Sequence, residues 1–251
     1  MSFTAYNLAT NHNNNVLAAR LAAAGSLEER LVLIQDNTRG RIAFSTSLGL
    51  EDQAILHAIA TTHAPVDVFT LDTGRLFPET IDTIAASEKR YGLKIRVVAP
   101  NPTDLETLVD RDGVHGFRFS VTARKSCCEV RKIEPLRRAL AGASSWVTGL
   151  RREQSVTRTE VPFTVRDFDL GLLKINPLAD WSLARLETYI RNNNIPTNAL
   201  HDRGFPSIGC QPCTRAVLPG EDIRAGRWWW ELPEHKECGL HSRPLPAEAA
   251  E

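Results

Sequence analysis

Four of the five cysteines fall into two close pairs: Cys127 and Cys128 are adjacent, and Cys210 and Cys213 form a C-x-x-C around Gln211 and Pro212. Four soft thiolates suit an iron–sulfur cluster or a structural zinc ion. Zinc takes its ligands tetrahedrally, and adjacent cysteines send their side chains apart, so the tandem pair favours the cluster. Two further readings stay open, namely small buried residues beside an ordinary turn, or a redox-active C-x-x-C. Cys210 follows a glycine-rich coil and opens no helix of the thioredoxin kind, which weighs against the redox reading. An odd cysteine total in a chain of this length also argues against a disulfide framework. That leaves Cys238, which has His235 and His241 three residues to either side. Nearby cations lower a thiol pKa from about 8.5 toward neutrality, whereas Glu237 acts the other way.

Two loops could hold an anion. Ser45-Thr-Ser-Leu-Gly-Leu-Glu-Asp52 follows an apolar run and precedes a helical one. Serine hydroxyls, a close-approaching Gly49 and a helix N-terminus together can cradle a phosphate or sulfate. No Gly-Lys-Ser/Thr follows, so this is not a Walker A loop. A plain strand-to-helix turn with a serine cap reads equally well from the loop alone. The second loop, Leu71-Asp-Thr-Gly-Arg-Leu-Phe-Pro-Glu-Thr80, sets Asp72 and Gly74 where open α/β sheets bind ligands, or makes an ordinary Asp-Gly turn.

The pattern around these residues alternates strand and helix. Strands are expected at 41–45, 66–71, 94–98, 146–148, 163–168 and 172–175. Helices are expected within 1–40, where Ser26 and Glu29 read as a capping box, and over 51–62, 78–90, 126–141 and 182–192. Thr103 with Glu106 reads as the cap of another helix. Such alternation predicts an α/β fold with a mostly parallel sheet flanked by helices, its strand-end loops gathered at one edge. From about His201 glycine and proline break the pattern, so we expect a nucleotide-binding domain over 1–200 and an irregular segment over 201–251. The chain is 42% hydrophobic and 24% charged, with 30 basic and 30 acidic residues, which excludes general disorder and disfavours a globally basic nucleic-acid binder. No apolar run approaches the ~18 residues of a membrane span, and the N-terminus lacks a basic start with an apolar stretch behind it. A cytoplasmic protein is expected. Between Arg118 and Arg138 seven basic residues stand against two acidic ones, either a solvated face or one wall of an electropositive cleft. Trp228-Trp229-Trp230 reads as packing for the C-terminal segment.

Together these segments resemble the adenine-nucleotide α-hydrolase fold, and more narrowly the adenylyl-sulfate and phosphoadenylyl-sulfate reductases of sulfate assimilation. The resemblance runs through LDTGRLFPET, KSCCEVRKIEPLRRAL, TGLRREQS, INPLADW, GCQPCTR and ECGLH, over about residues 41–241. It implies one 4Fe–4S cluster on Cys127, Cys128, Cys210 and Cys213, and adenylyl sulfate as substrate, because relatives specific for the 3′-phosphorylated form generally lack these cysteines. It makes Cys238 the nucleophile, with His241 as a donor and Lys132 near the cluster. Arg158, Arg224 and Arg227 match arginines at the phosphosulfate, and Ser45, Ser47 and Asp52 occupy nucleotide-loop positions. With no resolving thiol left on the chain, an outside dithiol must release sulfite; thioredoxin is implied and glutaredoxin fits as well. A homo-oligomer fits the family.

Other readings are a reductase acting on the 3′-phosphorylated substrate or on both forms, an adenylating ATP pyrophosphatase of the tRNA-thiolation type, and a zinc-containing nucleic-acid-binding module. The loop Ser-Thr-Ser-Leu-Gly-Leu departs from the Ser-Gly-Gly-x-Asp-Ser of the pyrophosphatases. The 118–138 stretch lacks the interleaved aromatics of a nucleic-acid patch.

Overall fold

The computed structural model describes residues 14–154 and 160–232. Six strands form one sheet in the order β3-β2-β1-β4-β6-β5. They are β1 (Ile42–Ser45), β2 (Val66–Leu71), β3 (Arg96–Val98), β4 (Ser145–Val147), β5 (Thr164–Asp167) and β6 (Leu172–Ile175). All pairings are parallel except that of β5 with β6, a hairpin closed at Gly171 in the left-handed region (φ 67°). The chain steps outward from β1 to β3, then returns to lay β4 on the other side of β1. That reversal opens a crevice above the strand ends, where such sheets take ligands.

Helix α1 (14–23) and α2 (Leu27–Asn37) lie on one face with α3 (Leu50–Thr62) and α8 (Leu183–Asn192); α4 (Pro78–Tyr91) adds Ile84 and Tyr91 to the same core. Phe44, Leu56, Ile175, Leu186 and Trp181 are among its buried members. The opposite face is covered by α7 (Glu134–Leu140), whose Leu136, Ala139 and Leu140 pack on Ala43, Phe69 and Trp146. β1 is buried on both sides, which is why it reads as a continuous apolar run and not an alternating one.

The caps refine the sequence reading. Ser26 Oγ accepts from Glu29 N–H as expected, but Glu29 Oε2 accepts in return from Gly25 N–H, one residue earlier than a capping box requires. The expected Thr103–Glu106 cap is displaced. Helix α5 (Pro102–Asp112) begins at Pro102, and Asn101 Oδ1 accepts from Thr103 N–H at 3.0 Å. Proline fits the first helical position because its missing N–H would be unpaired there anyway, so Asn101 takes the cap. The helix expected over 126–141 is three pieces: α6 (Val121–Cys128), a π-turn over Glu129–Ile133, and α7. Pro135 explains the break, since it has no N–H for the Arg131 carbonyl and its ring would strike it; the wider turn relieves both. No helix among the described residues is long and apolar enough to cross a membrane.

Candidate active site

The crevice between β1 and β4 is a cleft of about 250 Å³. Its floor is the loop after β1. There Trp146 Nε1 donates to Ser45 Oγ at 2.8 Å, so the serine's own proton is left to point elsewhere. Thr46 Oγ1 accepts from Leu48 N–H, closing a tight turn that holds Leu48 at φ 61°. A leucine tolerates that left-handed conformation here because its side chain is wholly buried. Ser47 donates from both N and Oγ to Asp52 Oδ2, at 2.6 and 2.7 Å. Gly149, two residues past β4, lies so close that a Cβ there would collide with Asp52 Oδ1. Burial pushes the Asp52 carboxyl up to about 6, against the two Ser47 bonds that favour its ionised form.

That shift has a stability consequence. Between pH ~4 and ~6 the folded chain holds a proton on Asp52 that the unfolded chain has lost. Stability therefore falls as pH rises through this window, by on the order of 3 kcal/mol from this group. Asp52→Asn should flatten that part of the pH–stability curve in chemical denaturation; an unchanged slope would contradict the assignment. Trp146→Phe removes the donor that fixes Ser45. It should raise KM for the substrate about 5-fold with a smaller change in kcat, as expected for one hydrogen bond; an unchanged KM would show that Ser45 does not depend on it.

The other wall carries the cysteines. Cys127 and Cys128 end α6, and the π-turn then buries Arg131, whose Nη1 donates to Thr73 O at 2.6 Å, and turns Lys132 toward the cleft. Cys210 is buried with its Sγ 3.3 Å from Thr73 Oγ1. Gln211 N–H donates to Arg75 O, and Trp228 N–H to Cys213 O, so the C-x-x-C is clamped from both sides. The C-x-x-C itself is a single 3-10 turn over Gln211–Cys213.

The thiols sense one another. Burial pushes Cys213 up to about 12, and Cys210, Cys128 and Cys127 add to it while Lys132 opposes. Burial and Cys210 raise Cys127, against Arg131 and Arg75. Burial also acts to raise Cys210, but Lys132, the Thr73 hydroxyl, Arg227 and Arg131 outweigh it and leave the thiol below its ordinary value. No three His, Cys, Asp or Glu side chains among the described residues converge on a point that would hold a metal ion.

Arg224 and Arg227 line the same cleft. Arg227 is buried and donates from Nη1 to Ile208 O, with its guanidinium 4.7 Å from the Trp228 ring centroid. Arg124 also lies against the Trp228 ring, 4.6 Å from its centroid, and pairs with Glu231 at 2.8 Å, both side chains almost fully buried. This fastens the last described turn to the helix that ends in the tandem cysteines. By contrast Arg137 and Arg138 pair with Glu129 and Glu134 on the exposed side of their helix, as a solvated face would.

The structure thus brings Ser45, Ser47, Asp52, Lys132, Arg224 and Arg227 to one cleft beside Cys127, Cys128, Cys210 and Cys213. Asp72 and Gly74 are not among its lining residues. Asp72 Oδ1 accepts from Gly74 N–H at 2.8 Å within their own turn, and Thr73 between them faces the cleft. Arg158, Cys238 and His241 lie outside the described residues.

The sequence profile of the phosphoadenosine phosphosulfate reductase domain matches residues 41–216. The chain belongs to the phosphoadenosine phosphosulfate reductase family. Among curated relatives of this reductase, the adenosine 5′-phosphosulfate reductase of Allochromatium vinosum is 52% identical over 231 residues, 92% of this chain and 89% of the relative. That of Agrobacterium fabrum is 54% identical over 202 residues, 80% of this chain and 78% of the relative. The crystal structure of a phosphoadenylyl-sulfate reductase from Candida auris in complex with phosphate superposes with a TM-score of 0.67 at 27% identity, covering 82% of this chain and 95% of that one. The adenine-nucleotide α-hydrolase-like fold expected from the sequence is the one this reductase has.

Proposed function

We propose that this reductase converts adenosine 5′-phosphosulfate to sulfite and AMP, with Cys238 as nucleophile and an external dithiol as reductant. The observation that carries the reading is the shared wall. Lys132 lines the cleft with the serine-rich loop and also draws down the Cys210 thiol, so one cation serves both the cleft and the cysteine wall behind it. The names of the relatives support the substrate.

The Cys238 thiolate attacks the sulfonate sulfur in line with the bond to the bridging oxygen. An S–S bond forms, the S–O bond breaks, and AMP leaves with the electron pair. Arg224, Arg227, Lys132 and Arg158 hold the phosphosulfate oxygens on which charge grows, and His241 donates to them. A thiol of the reductant, thioredoxin or glutaredoxin, then attacks the Cys238 sulfur and sulfite departs with the electron pair. Its second thiol resolves the mixed disulfide and restores the Cys238 thiolate. Sulfur is reduced by two electrons and the dithiol is oxidised by two.

Cys238 is six residues beyond Leu232, a span of at most about 20 Å, and Glu231 pairs with Arg124, whose guanidinium also interacts with Cys128.

The donor set fits a 4Fe–4S cluster. Burial and neighbouring thiols raise Cys213 and Cys127, and Lys132, Arg131, Arg227 and Arg75 lie around the group, so Cys127, Cys128, Cys210 and Cys213 would suit an anionic polynuclear group. A bound cluster supplies a fixed charge and ties α6 to the C-x-x-C turn, and no electron passes through it in this scheme. The test is sulfite and AMP release with thioredoxin, from adenosine 5′-phosphosulfate and from its 3′-phosphorylated form in parallel. The reading expects the first to be used at a kcat/KM at least roughly 100-fold higher, the discrimination a few buried polar contacts give; the reverse preference would overturn it.

A further inference from the structure

His201 opens a one-turn 3-10 segment between α8 and Cys210, and it lines the cleft together with Glu51, Asp52, Thr80 and Ser207. Its Nδ1 is 3.0 Å from Phe205 O. A carbonyl oxygen carries no proton, so in that contact Nδ1 must be the donor. In the neutral ring the other nitrogen is then a bare acceptor. Burial holds the ring below its ordinary pKa, against the Phe205 contact and the acidic Glu51 and Asp202, and so favours the neutral form.

The turn that carries the ring is also fixed. His201 N–H donates to Asn198 O, Gly204 N–H donates to His201 O, and Phe205 N–H donates to Leu200 O. The Phe205 ring stands edge-on to Phe77, 5.6 Å between centroids. Yet Nε2, which is buried, has no hydrogen-bond partner among the described residues. Its neighbours do: Asp52 is held by Ser47, Glu51 by Arg151, Thr80 by Asn198 and Ser207 by Arg227. A buried acceptor left open in a ligand cleft is costly unless the ligand satisfies it.

His201 lies near Glu51 of α3, while Lys132 enters the cleft from the π-turn that leads into α7. A ligand that is anionic at the cationic end would present neutral donors to the other. We propose that His201 Nε2 accepts a hydrogen bond from a neutral donor on the nucleoside, a ribose hydroxyl or the 6-amino group of adenine, and so selects the nucleotide that enters. The inference rests on the reading of the cleft as a nucleotide site. It also gives a reason for a single tautomer: an imidazolium or an Nε2–H ring would present a donor instead.

The experiment measures binding of AMP, 2′-deoxy-AMP, 3′-deoxy-AMP and IMP by calorimetry to wild-type holoenzyme and to His201→Phe with matched iron content. The wild type should bind one of the three analogues about ten-fold more weakly than AMP, and that analogue names the donor. His201→Phe should bind AMP about ten-fold more weakly and no longer distinguish AMP from that analogue. A variant that keeps every wild-type ratio overturns the inference and leaves the nucleotide site standing. Wild-type protein that binds none of the four overturns both. Should His201→Phe fail to fold, nitrogen-15 histidine spectra of the wild type decide. Nε2 must resonate as an unprotonated nitrogen and move when AMP is added; a protonated Nε2, or one that AMP does not move, refutes the assignment.

Discussion

Cys238→Ser should abolish sulfite formation while leaving iron content and AMP affinity at wild-type levels. Serine retains the shape, but its hydroxyl has no accessible anion near neutral pH, so the nucleophile is lost and little else changes. The expected fall is roughly a thousand-fold or more, the scale on which removal of a covalent nucleophile acts. No other thiol is expected to take its place, because Cys127, Cys128, Cys210 and Cys213 are the ones this reading assigns to the cluster. Cleavage of the phosphosulfate by the variant at more than a few per cent of the wild-type rate would remove Cys238 from the mechanism. The contrast between lost turnover and kept nucleotide binding makes the result diagnostic, since a merely unfolded variant would lose both.

Cys213→Ser should lose iron and activity together. Serine oxygen is a poor ligand for a group that selects soft thiolates, and a site with three remaining sulfurs holds a cluster weakly. Anaerobically purified wild-type protein should carry about four iron and four sulfide per chain, and the variant close to none, with turnover reduced by roughly 100-fold or more. The variant should also be less stable, because the four thiols would no longer tie α6 to the Gln211–Cys213 turn. AMP binding at the Ser45–Asp52 loop should survive in part, since that loop is fixed by Trp146 and Asp52. An iron-free Cys213→Ser protein with full turnover would refute a required cluster.

The architecture was legible because it is written in local patterns. Apolar runs between glycine and proline punctuation gave the strands, and the helix expected over 182–192 is α8 (Leu183–Asn192), with Ser182 as its cap, its Oγ accepting from Arg185 N–H. The family resemblance singled out Lys132 within the basic stretch before Arg138, and the structure puts it in the cleft. What was misjudged depends on direction. Asp72, Thr73 and Gly74 were all visible as a strand-end turn, but neighbours on an extended chain point opposite ways, so one faces the cleft and two do not. Pro135 was equally visible, and a prolyl ring at that place is a signal for a widened turn after Glu129. Trp146 and His201 carried no local signal. Trp146 matters because parallel pairing sets β4 beside β1, bringing its indole to Ser45. His201 matters because a distant loop folds back under α4. Both are products of tertiary contact, which a linear pattern does not contain.

The central claim is that sulfur passes through Cys238 on its way to sulfite. It is tested by adding adenosine 5′-phosphosulfate to reduced holoenzyme with no dithiol present, then measuring AMP and mapping the protein by mass spectrometry. The account predicts one AMP released per active site, no free sulfite, and a single SO₃ adduct on the peptide that carries Cys238; thioredoxin added afterwards should discharge it as one equivalent of sulfite. Continuous release of AMP and sulfite without a dithiol, or an adduct on any other cysteine, would contradict it.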